Sequence, residues 1–221
     1  MKHLYVVVII LFFPLCHSLS WGESPHTIEH WYHQVTGNDY QKFLWSMTPG
    51  EKVQLTSKKE KEETSLICTQ KGEVINWEHR GDNGTDLTAK RSANILLITG
   101  KIDGKQIVKS FDLDKKPWYQ FLSFSLKSFL NDNKARTIIF WMLRPDTLKP
   151  ILLEATKAGV ETIPLNAETI EAVKIKVAPH GLMGKLWHAH YWYRLSDFLF
   201  IMYRGTHGGP LTPETIITLD K

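Results

Sequence analysis

Apolar and polar residues alternate with a period of two along most of this chain, and that alternation predicts β-strands. The clearest hairpin covers residues 94–113, where Asp103 and Gly104 form a type I′ turn signal between two β-rich arms. We predict about ten strands from such patterns. Besides the two hairpin arms they cover residues 51–57, 73–80, 136–143, 149–155, 170–178, 185–195, 198–205 and 214–219.

One segment breaks this alternation. After Pro117, a favourable helix start, apolar residues recur at helical spacing and polar residues form a stripe opposite them. The apolar positions are Trp118, Leu122, Leu126, Phe129 and Leu130, and the polar ones are Gln120, Ser123, Lys127 and Asn131. The spacing predicts an amphipathic helix of about 13 residues.

A lone helix among strands must bury its apolar side against a sheet. The fold class we expect is therefore mainly β with one principal amphipathic helix. In that fold a strongly curved antiparallel sheet, or incomplete β-barrel, wraps the helix, because an open sheet this wide tends to curl. The eight tryptophans of the chain suit a sheet with a large apolar surface.

Residues 1–20 have the pattern of a signal peptide. A cationic start precedes a continuous apolar run, Leu4–Leu15, and small residues follow at positions 18–20. The run is too short to span a bilayer, which takes roughly 20 residues, so we favour cleavage near Ser20 over a retained anchor. We therefore expect a periplasmic or otherwise exported protein in which residues 21–221 form a single β-rich domain.

The two cysteines carry no predicted chemistry. Cys16 is not expected to be lipidated, because bulky Leu15 precedes it where lipoproteins have a small residue. After cleavage only Cys68 remains, which excludes an intramolecular disulfide. Cys68 lies in an apolar stretch, so we expect it to be buried and inert.

Two histidines, His188 and His190, raise the question of a metal site. On a strand they share one face with Trp192 and Arg194, and two histidines at this spacing can bind one metal ion. A third ligand would have to come from elsewhere, and the candidates are His79, His180 and His207. No HExxH or CxxC motif occurs. We therefore favour a packing role and keep a metal-dependent hydrolase as the weakest alternative.

Other catalytic signatures are missing from the sequence. There is no GxSxG motif and no glycine-rich phosphate loop, and the carboxylates Asp112 and Asp114 stand beside two lysines, as at a charged strand end. The net charge is +4 without a basic block, so nucleic acid is not an expected partner. We expect a protein without cofactor and without enzymatic activity.

Four segments together carry a resemblance to a known family. Residues 116–130, 140–149, 191–205 and 208–216 look like an uncharacterised family of exported bacterial β-rich proteins, grouped by fold with the lipoprotein carriers and receptors of the LolA/LolB type. The resemblance implies an incomplete antiparallel barrel whose helix lids an apolar concavity, which holds acyl chains in the carriers. By alternation, we expect the concavity here to be faced by Trp118, Phe121, Leu122, Trp141, Trp187, Tyr191 and Met202. One departure is clear, since the carriers have several helices and this sequence predicts one.

The function favoured by these observations is binding or escorting an apolar ligand, such as a lipid or a lipoprotein acyl chain, in the cell envelope. The alternative is an envelope assembly scaffold with a filled core, in which an unpaired sheet edge and exposed Trp45 and Trp192 dock a protein partner. Peripheral contact with the membrane is compatible with both.

Overall fold

The computed structural model describes residues 26–185, 187–206 and 212–220. The predicted signal peptide and His207 lie outside these residues. The strands before the helices are β1 (Ile28–Thr36), β2 (Asp39–Thr48), β3 (Val53–Lys58), β4 (Glu62–Cys68), β5 (Val74–Gly81), β6 (Asp86–Ser92), β7 (Ile95–Ile102) and β8 (Lys105–Asp112). Two short helices follow, α1 (Leu122–Ser125) and α2 (Lys127–Asn131). The remaining strands are β9 (Thr137–Arg144), β10 (Lys149–Leu165), β11 (Glu168–Pro179), β12 (Ala189–Arg194), β13 (Phe200–Thr206) and β14 (Glu214–Leu219).

Within the described part of the chain, fourteen strands form one antiparallel sheet with the order β8-β7-β6-β5-β4-β3-β2-β1-β14-β13-β12-β11-β10-β9. Strands β1 and β14 pair in the middle of this order, and β8 and β9 form its two edges. The sheet is therefore not closed into a barrel. The prediction of a mainly β fold with a large antiparallel sheet around a helical segment is confirmed, with fourteen strands in place of about ten.

The inner face of the sheet is the face that contacts the helices. The phenol of Tyr193 on β12 donates a buried hydrogen bond of 2.7 Å to the carbonyl oxygen of Leu122 in α1. Alternation and register extend this face across the neighbouring strands, since Val177 of β11 pairs with Ala189 of β12 and with Ala155 of β10. These residues are buried, which explains why the C-terminal strands were visible as apolar alternation.

The loop that precedes the helices lies between the sheet's interior and edge strand β9. Trp118 forms a parallel bridge with Trp141 of β9, in which Tyr119 N donates to Trp141 O at 2.9 Å and Trp141 N donates to Pro117 O at 2.8 Å. On its other side the carbonyl oxygen of Trp118 accepts a hydrogen bond of 2.8 Å from the backbone N–H of Val74. Residues 117–119 therefore link the interior end of β5 to the edge of the sheet.

The helical part is consequently shorter than the sequence predicts. Residues 118–121 are not helical, because their backbone bonds to β9 compete with a helix, and the first helical residue is Leu122. A break at Leu126 then separates α1 from α2. The apolar positions of the predicted helix are nevertheless buried, with Trp118 and Leu126 fully inaccessible and Phe129 and Leu130 nearly so.

The predicted hairpin turn is confirmed. Asp103 and Gly104 have φ angles of 49° and 75° between β7 and β8, so both central residues of the turn are in the left-handed region that a type I′ turn requires.

Candidate functional site

The two ends of the curved sheet differ. At one end, which we call the helix end, residues 113–136 enter the interior and α1 packs against the turn between β4 and β5, where Ser125 Oγ donates to the carbonyl oxygen of Gly72 at 2.9 Å. Directly beneath the helices the core is filled. Its largest fully buried side chains include Trp77, Trp118 and Tyr193.

At the opposite end lie the turns β1–β2, β3–β4, β5–β6 and β7–β8. Here a group of inward-facing side chains is only half-buried, although these side chains point to the inside of the sheet. We call the surface that they form the inner concavity. Its members include Gln34, Ser57, Thr64, His79, Ile107, Ile151, Trp187, Tyr191 and Ile217.

The apolar wall of the inner concavity is built around Tyr191. Its ring meets Tyr203 edge-on at 5.0 Å between centroids and lies 6.1 Å from Phe200. Desolvation by burial, and then the neighbouring Tyr203, raise the pKa of Tyr191 well above its usual value. Tyr191 is nevertheless only half-buried, so part of its inward-facing ring remains accessible.

Trp187 is fixed at the rim of the same wall. Its indole N–H donates to the carbonyl oxygen of Thr206 at 2.8 Å and also contacts Thr206 Oγ1 at 2.9 Å. These bonds attach the residue before β12 to the end of β13, so the half-buried ring has a defined position.

The opposite wall, on β1 to β5, is polar. Thr64 Oγ1 and His79 Nδ1 are 2.9 Å apart across β4 and β5, and the His79 ring stacks on Trp77 with 5.8 Å between centroids. Desolvation by burial lowers the pKa of His79, and nearby Lys59 lowers it further while Glu62 opposes both. His79 is therefore neutral near pH 7.

Five of the seven predicted site residues lie on the inner side of the sheet. Trp118 and Leu122 are buried below it, Phe121 is half-buried immediately before α1, and Trp187 and Tyr191 belong to its wall.

The other two face the opposite side of the sheet. Met202 pairs with Trp192 and Thr218 and therefore faces away from Tyr191. An extra residue, Ile201, lies opposite the step from Trp192 to Tyr193, so Met202 and inward-facing Phe200 lie on opposite faces of the sheet. Trp141 alternates with fully buried Phe140, and its indole N–H donates to exposed Asp114 at 2.9 Å. The prediction that Met202 and Trp141 face the concavity is wrong.

The outer face carries the two histidines, whose rings meet edge-on at 5.0 Å. Desolvation by burial, followed by Lys174, lowers the pKa of His190. Within residues 26–185, 187–206 and 212–220, no group of three or more His, Cys, Asp or Glu side chains could hold a metal ion. The nearby lysine also disfavours a cation at His188 and His190.

The two tryptophans expected to be exposed are buried. Trp192 is covered by Lys174, whose Nζ lies 5.1 Å from the ring centroid, and its indole N–H bonds to Glu161. Trp45 lies on the inner face, where it stacks with His30 at 6.0 Å. The docking surface predicted from Trp45 and Trp192 is therefore wrong, although Trp31 on the outer face of β1 is 46% exposed.

Two further clefts lie outside the inner concavity. One of about 230 Å³ is lined by residues including Glu73, Val74 and Arg91, and one of about 180 Å³ by residues including Glu154 and Lys176. Among the described residues, no helix is both long and apolar enough to cross a lipid bilayer.

No protein-family model and no curated relative matches the sequence. Among solved structures, the chain is similar to a β-barrel-like protein of domain of unknown function DUF1849 from Brucella abortus, with a TM-score of 0.58 and 5% identity over 90% of this chain and 97% of that one. The hypothetical lipoprotein YmcC from Escherichia coli has a TM-score of 0.38 and 10% identity over 89% and 84% of the two chains. The LolA superfamily protein NE2245 from Nitrosomonas europaea has a TM-score of 0.28 and 6% identity over 91% and 86%.

The Brucella protein and this chain share a fold. The predicted resemblance to uncharacterised β-barrel-like proteins is confirmed at the level of the fold.

Proposed function

We propose that this chain is an exported, non-enzymatic protein that binds or escorts an apolar ligand, such as a lipid or an acyl chain, in the cell envelope. The proposal rests on the inner concavity, where Ile107, Ile151, Tyr191 and Ile217 keep accessible apolar surface on the inside of the sheet. Each methylene that such a surface withdraws from water contributes about 0.8 kcal/mol.

The filled core at the helix end implies that a ligand enters from the opposite end. The filled core around Trp118 and Leu126 leaves no room for a chain beneath the helices, so these residues form a floor. A ligand would lie above this floor, against the wall that holds Tyr191 and Trp187. The proposed ligand-binding residues are therefore Tyr191, Trp187 and Phe121, with Trp118 and Leu122 supporting them from below.

Export is the part of the proposal that depends on residues 1–20 alone. Purification of the protein from its native envelope and mass spectrometry of its N-terminus test this step. A mature chain that begins at Trp21 is the expected result, and a retained residue 1 would contradict it.

Two adjacent residues of β14 provide a matched test of ligand binding. Ile217 pairs with Tyr203 on the inner face and Ile216 pairs with Arg204 on the outer face, and both side chains are half-buried. Threonine keeps the β-branched shape but removes apolar surface, so Ile217→Thr and Ile216→Thr perturb the strand in similar ways.

The measurement is titration of delipidated protein with a fluorescent fatty acid. We expect Ile217→Thr to weaken binding several-fold and Ile216→Thr to leave it unchanged. Absence of binding by the unsubstituted protein, together with absence of lipid in organic extracts of the native protein, would rule out the proposed function.

A further inference from the structure

The inner concavity is chemically divided between its two sides. Inward-facing positions of β1 to β5 at this end are polar, whereas those of β7 to β12 are mainly apolar. The polar side includes Gln34, Thr36, Ser57, Lys59, Thr64 and His79, and the apolar side includes Ile102, Ile107, Ile151, Tyr191 and Trp187. Edge strand β8 also directs Lys105 and Lys109 inward, on either side of Ile107.

Lys59 is a cation at the rim of the polar side. It follows β3 directly, and the alternation of Val53, Leu55 and Ser57 continues to the same inward side. Its Nζ lies 3.4 Å from Gln34 Oε1 and 5.9 Å from the centroid of inward-facing Phe43. The ammonium group therefore reaches across the inner faces of β2 and β1.

This ammonium group has donor capacity to spare. Among the described residues no carboxylate oxygen lies within 4.0 Å of Lys59 Nζ, although Glu62 stands at the same rim and acts electrostatically on His79. An ammonium group carries three N–H donors, and Gln34 is one acceptor. The adjacent Lys58 differs, because it faces outward and pairs with Glu63 at 4.0 Å.

A chain of hydrogen bonds orients the acceptor of Lys59. Gln34 Nε2 donates to Thr36 Oγ1 at 3.2 Å, and Thr36 Oγ1 lies 2.8 Å from Thr215 Oγ1. Because the amide nitrogen of Gln34 is used in this way, its oxygen points to Lys59. The polar side is thus a hydrogen-bonded network around the half-buried ammonium group of Lys59.

We propose that the ligand is a single-chain amphiphile whose anionic oxygen headgroup, a carboxylate or a phosphate, binds at Lys59. Its hydrocarbon chain lies across the concavity against Ile107, Ile151 and Tyr191. This inference rests on the proposed function and adds the polarity of the ligand and its orientation. A purely hydrocarbon ligand would leave the remaining N–H donors of Lys59 facing an apolar chain without a partner, which is costly.

The test compares ligands that differ only in the headgroup. Delipidated protein is titrated with palmitate and with hexadecanol, each competing with a fluorescent fatty acid, and with a palmitoyl lysophosphatidate as the phosphate probe. A charge-assisted hydrogen bond gives a preference of about tenfold for palmitate over hexadecanol. Stronger binding of the lysophosphatidate than of palmitate would assign the phosphate as the preferred headgroup within the same proposal.

Lys59→Met removes the cation, and Lys58→Met is the matched control on the outer side. We expect Lys59→Met to lower the affinity for palmitate about tenfold and to leave hexadecanol binding unchanged. Lys58→Met changes neither affinity. Thermal unfolding of both variants verifies that the fold is retained.

Different results of these titrations would contradict the headgroup site and the proposed binding function. Failure of all three ligands to bind overturns the headgroup site, and absence of lipid in organic extracts of the native protein would then remove the proposed function as well. Equal affinity for palmitate and hexadecanol in the unsubstituted protein, or an unchanged preference in Lys59→Met, overturns the headgroup site while the apolar binding function stands.

Discussion

The contact between Gly72 and Ser125 offers a direct test of how the helical segment is held in the sheet. Gly72 has a φ of +81° in the turn between β4 and β5, and a Cβ added there would lie 2.4 Å from Ser125 Cα. Gly104 has a similar φ of +75°, but a Cβ added there meets nothing within 4 Å. The variants Gly72→Ala and Gly104→Ala therefore impose the same backbone strain, and only the first obstructs α1.

The expected costs follow from these two environments. An alanine in the left-handed region costs about 1 kcal/mol in either variant. In Gly72→Ala, displacement of buried Ser125 adds about 1–3 kcal/mol of overpacking. Loss of its hydrogen bond to the carbonyl oxygen of residue 72 adds about 1 kcal/mol. The free energy of unfolding is then lowered by about 3–5 kcal/mol in Gly72→Ala and by about 1 kcal/mol in Gly104→Ala.

Urea denaturation, monitored by tryptophan fluorescence, measures this difference. The free energies of unfolding of the two variants are compared on condition that their m-values are equal. In thermal unfolding we expect Gly72→Ala to lower Tm by roughly 10 °C and Gly104→Ala by roughly 3 °C, given about 2–4 °C per kcal/mol for a chain of this size. Equal destabilisation of the two variants would refute the argument that the β4–β5 turn fixes the position of α1.

Three further predictions concern buried polar groups. Tyr193→Phe removes the 2.7 Å hydrogen bond to the carbonyl oxygen of Leu122 and should lower the free energy of unfolding by about 1 kcal/mol in urea titrations. An unchanged urea midpoint would contradict this prediction. Burial raises the pKa of the Cys68 thiol to about 12, so a thiol reagent at pH 8 should modify it only after denaturant is added; rapid labelling of the folded protein would show that the site is open. Desolvation by burial lowers the pKa of His79, so the neutral form is favoured in the fold. The stability that this residue contributes is complete above the unfolded pKa of about 6.5 and declines as the pH falls from there toward the lower folded pKa. His79→Gln should accordingly reduce the loss of Tm between about pH 7.5 and pH 5.5, and an identical loss in both proteins would count against this residue.

Strands were predictable where the inner face is apolar along its whole length. The C-terminal strands meet this condition, because residues such as Ile175 and Val177 are buried at every second position. Strands β1, β2 and β4 were not predicted, since their inner faces become polar toward the open end, as at Gln34 and Thr64. Strand β6 was also not predicted, although its inward residues Leu87 and Ala89 are buried. The polarity that concealed β1, β2 and β4 is the same polarity that forms one wall of the inner concavity.

The helical segment shows where local spacing misleads. Trp118 stands at helical spacing from Leu122, but its position is decided by backbone bonds to Val74 and Trp141, which are distant in sequence. No local pattern contains these partners.

The candidate site was predictable only as far as strand alternation stays regular. Tyr191 lies on the inner face that the alternation predicts, because β12 alternates without interruption from Ala189 to Trp192, and Trp187 lies just before this strand. Met202 was misplaced by the bulge opposite Trp192, and an extra residue of this kind leaves no mark in the apolar pattern of β13. Register, and with it the inward or outward direction of each side chain, depends on pairing that a single sequence does not display.

The unclosed seam between β8 and β9 explains how a sheet of fourteen strands can keep a filled core at one end and a concavity at the other. In a closed barrel, β9 would form backbone hydrogen bonds with β8. At the helix end residues 117–119 take the place of β8, because they form backbone hydrogen bonds with Trp141 of β9. Toward the other end Lys109, an inward-facing residue of β8, donates to the carbonyl oxygen of Thr147 at 3.3 Å. An inward lysine on an edge strand disfavours pairing with a further strand. The inserted segment therefore widens the sheet where the helices must fit, and the hydrogen bond between Lys109 and Thr147 joins its edges.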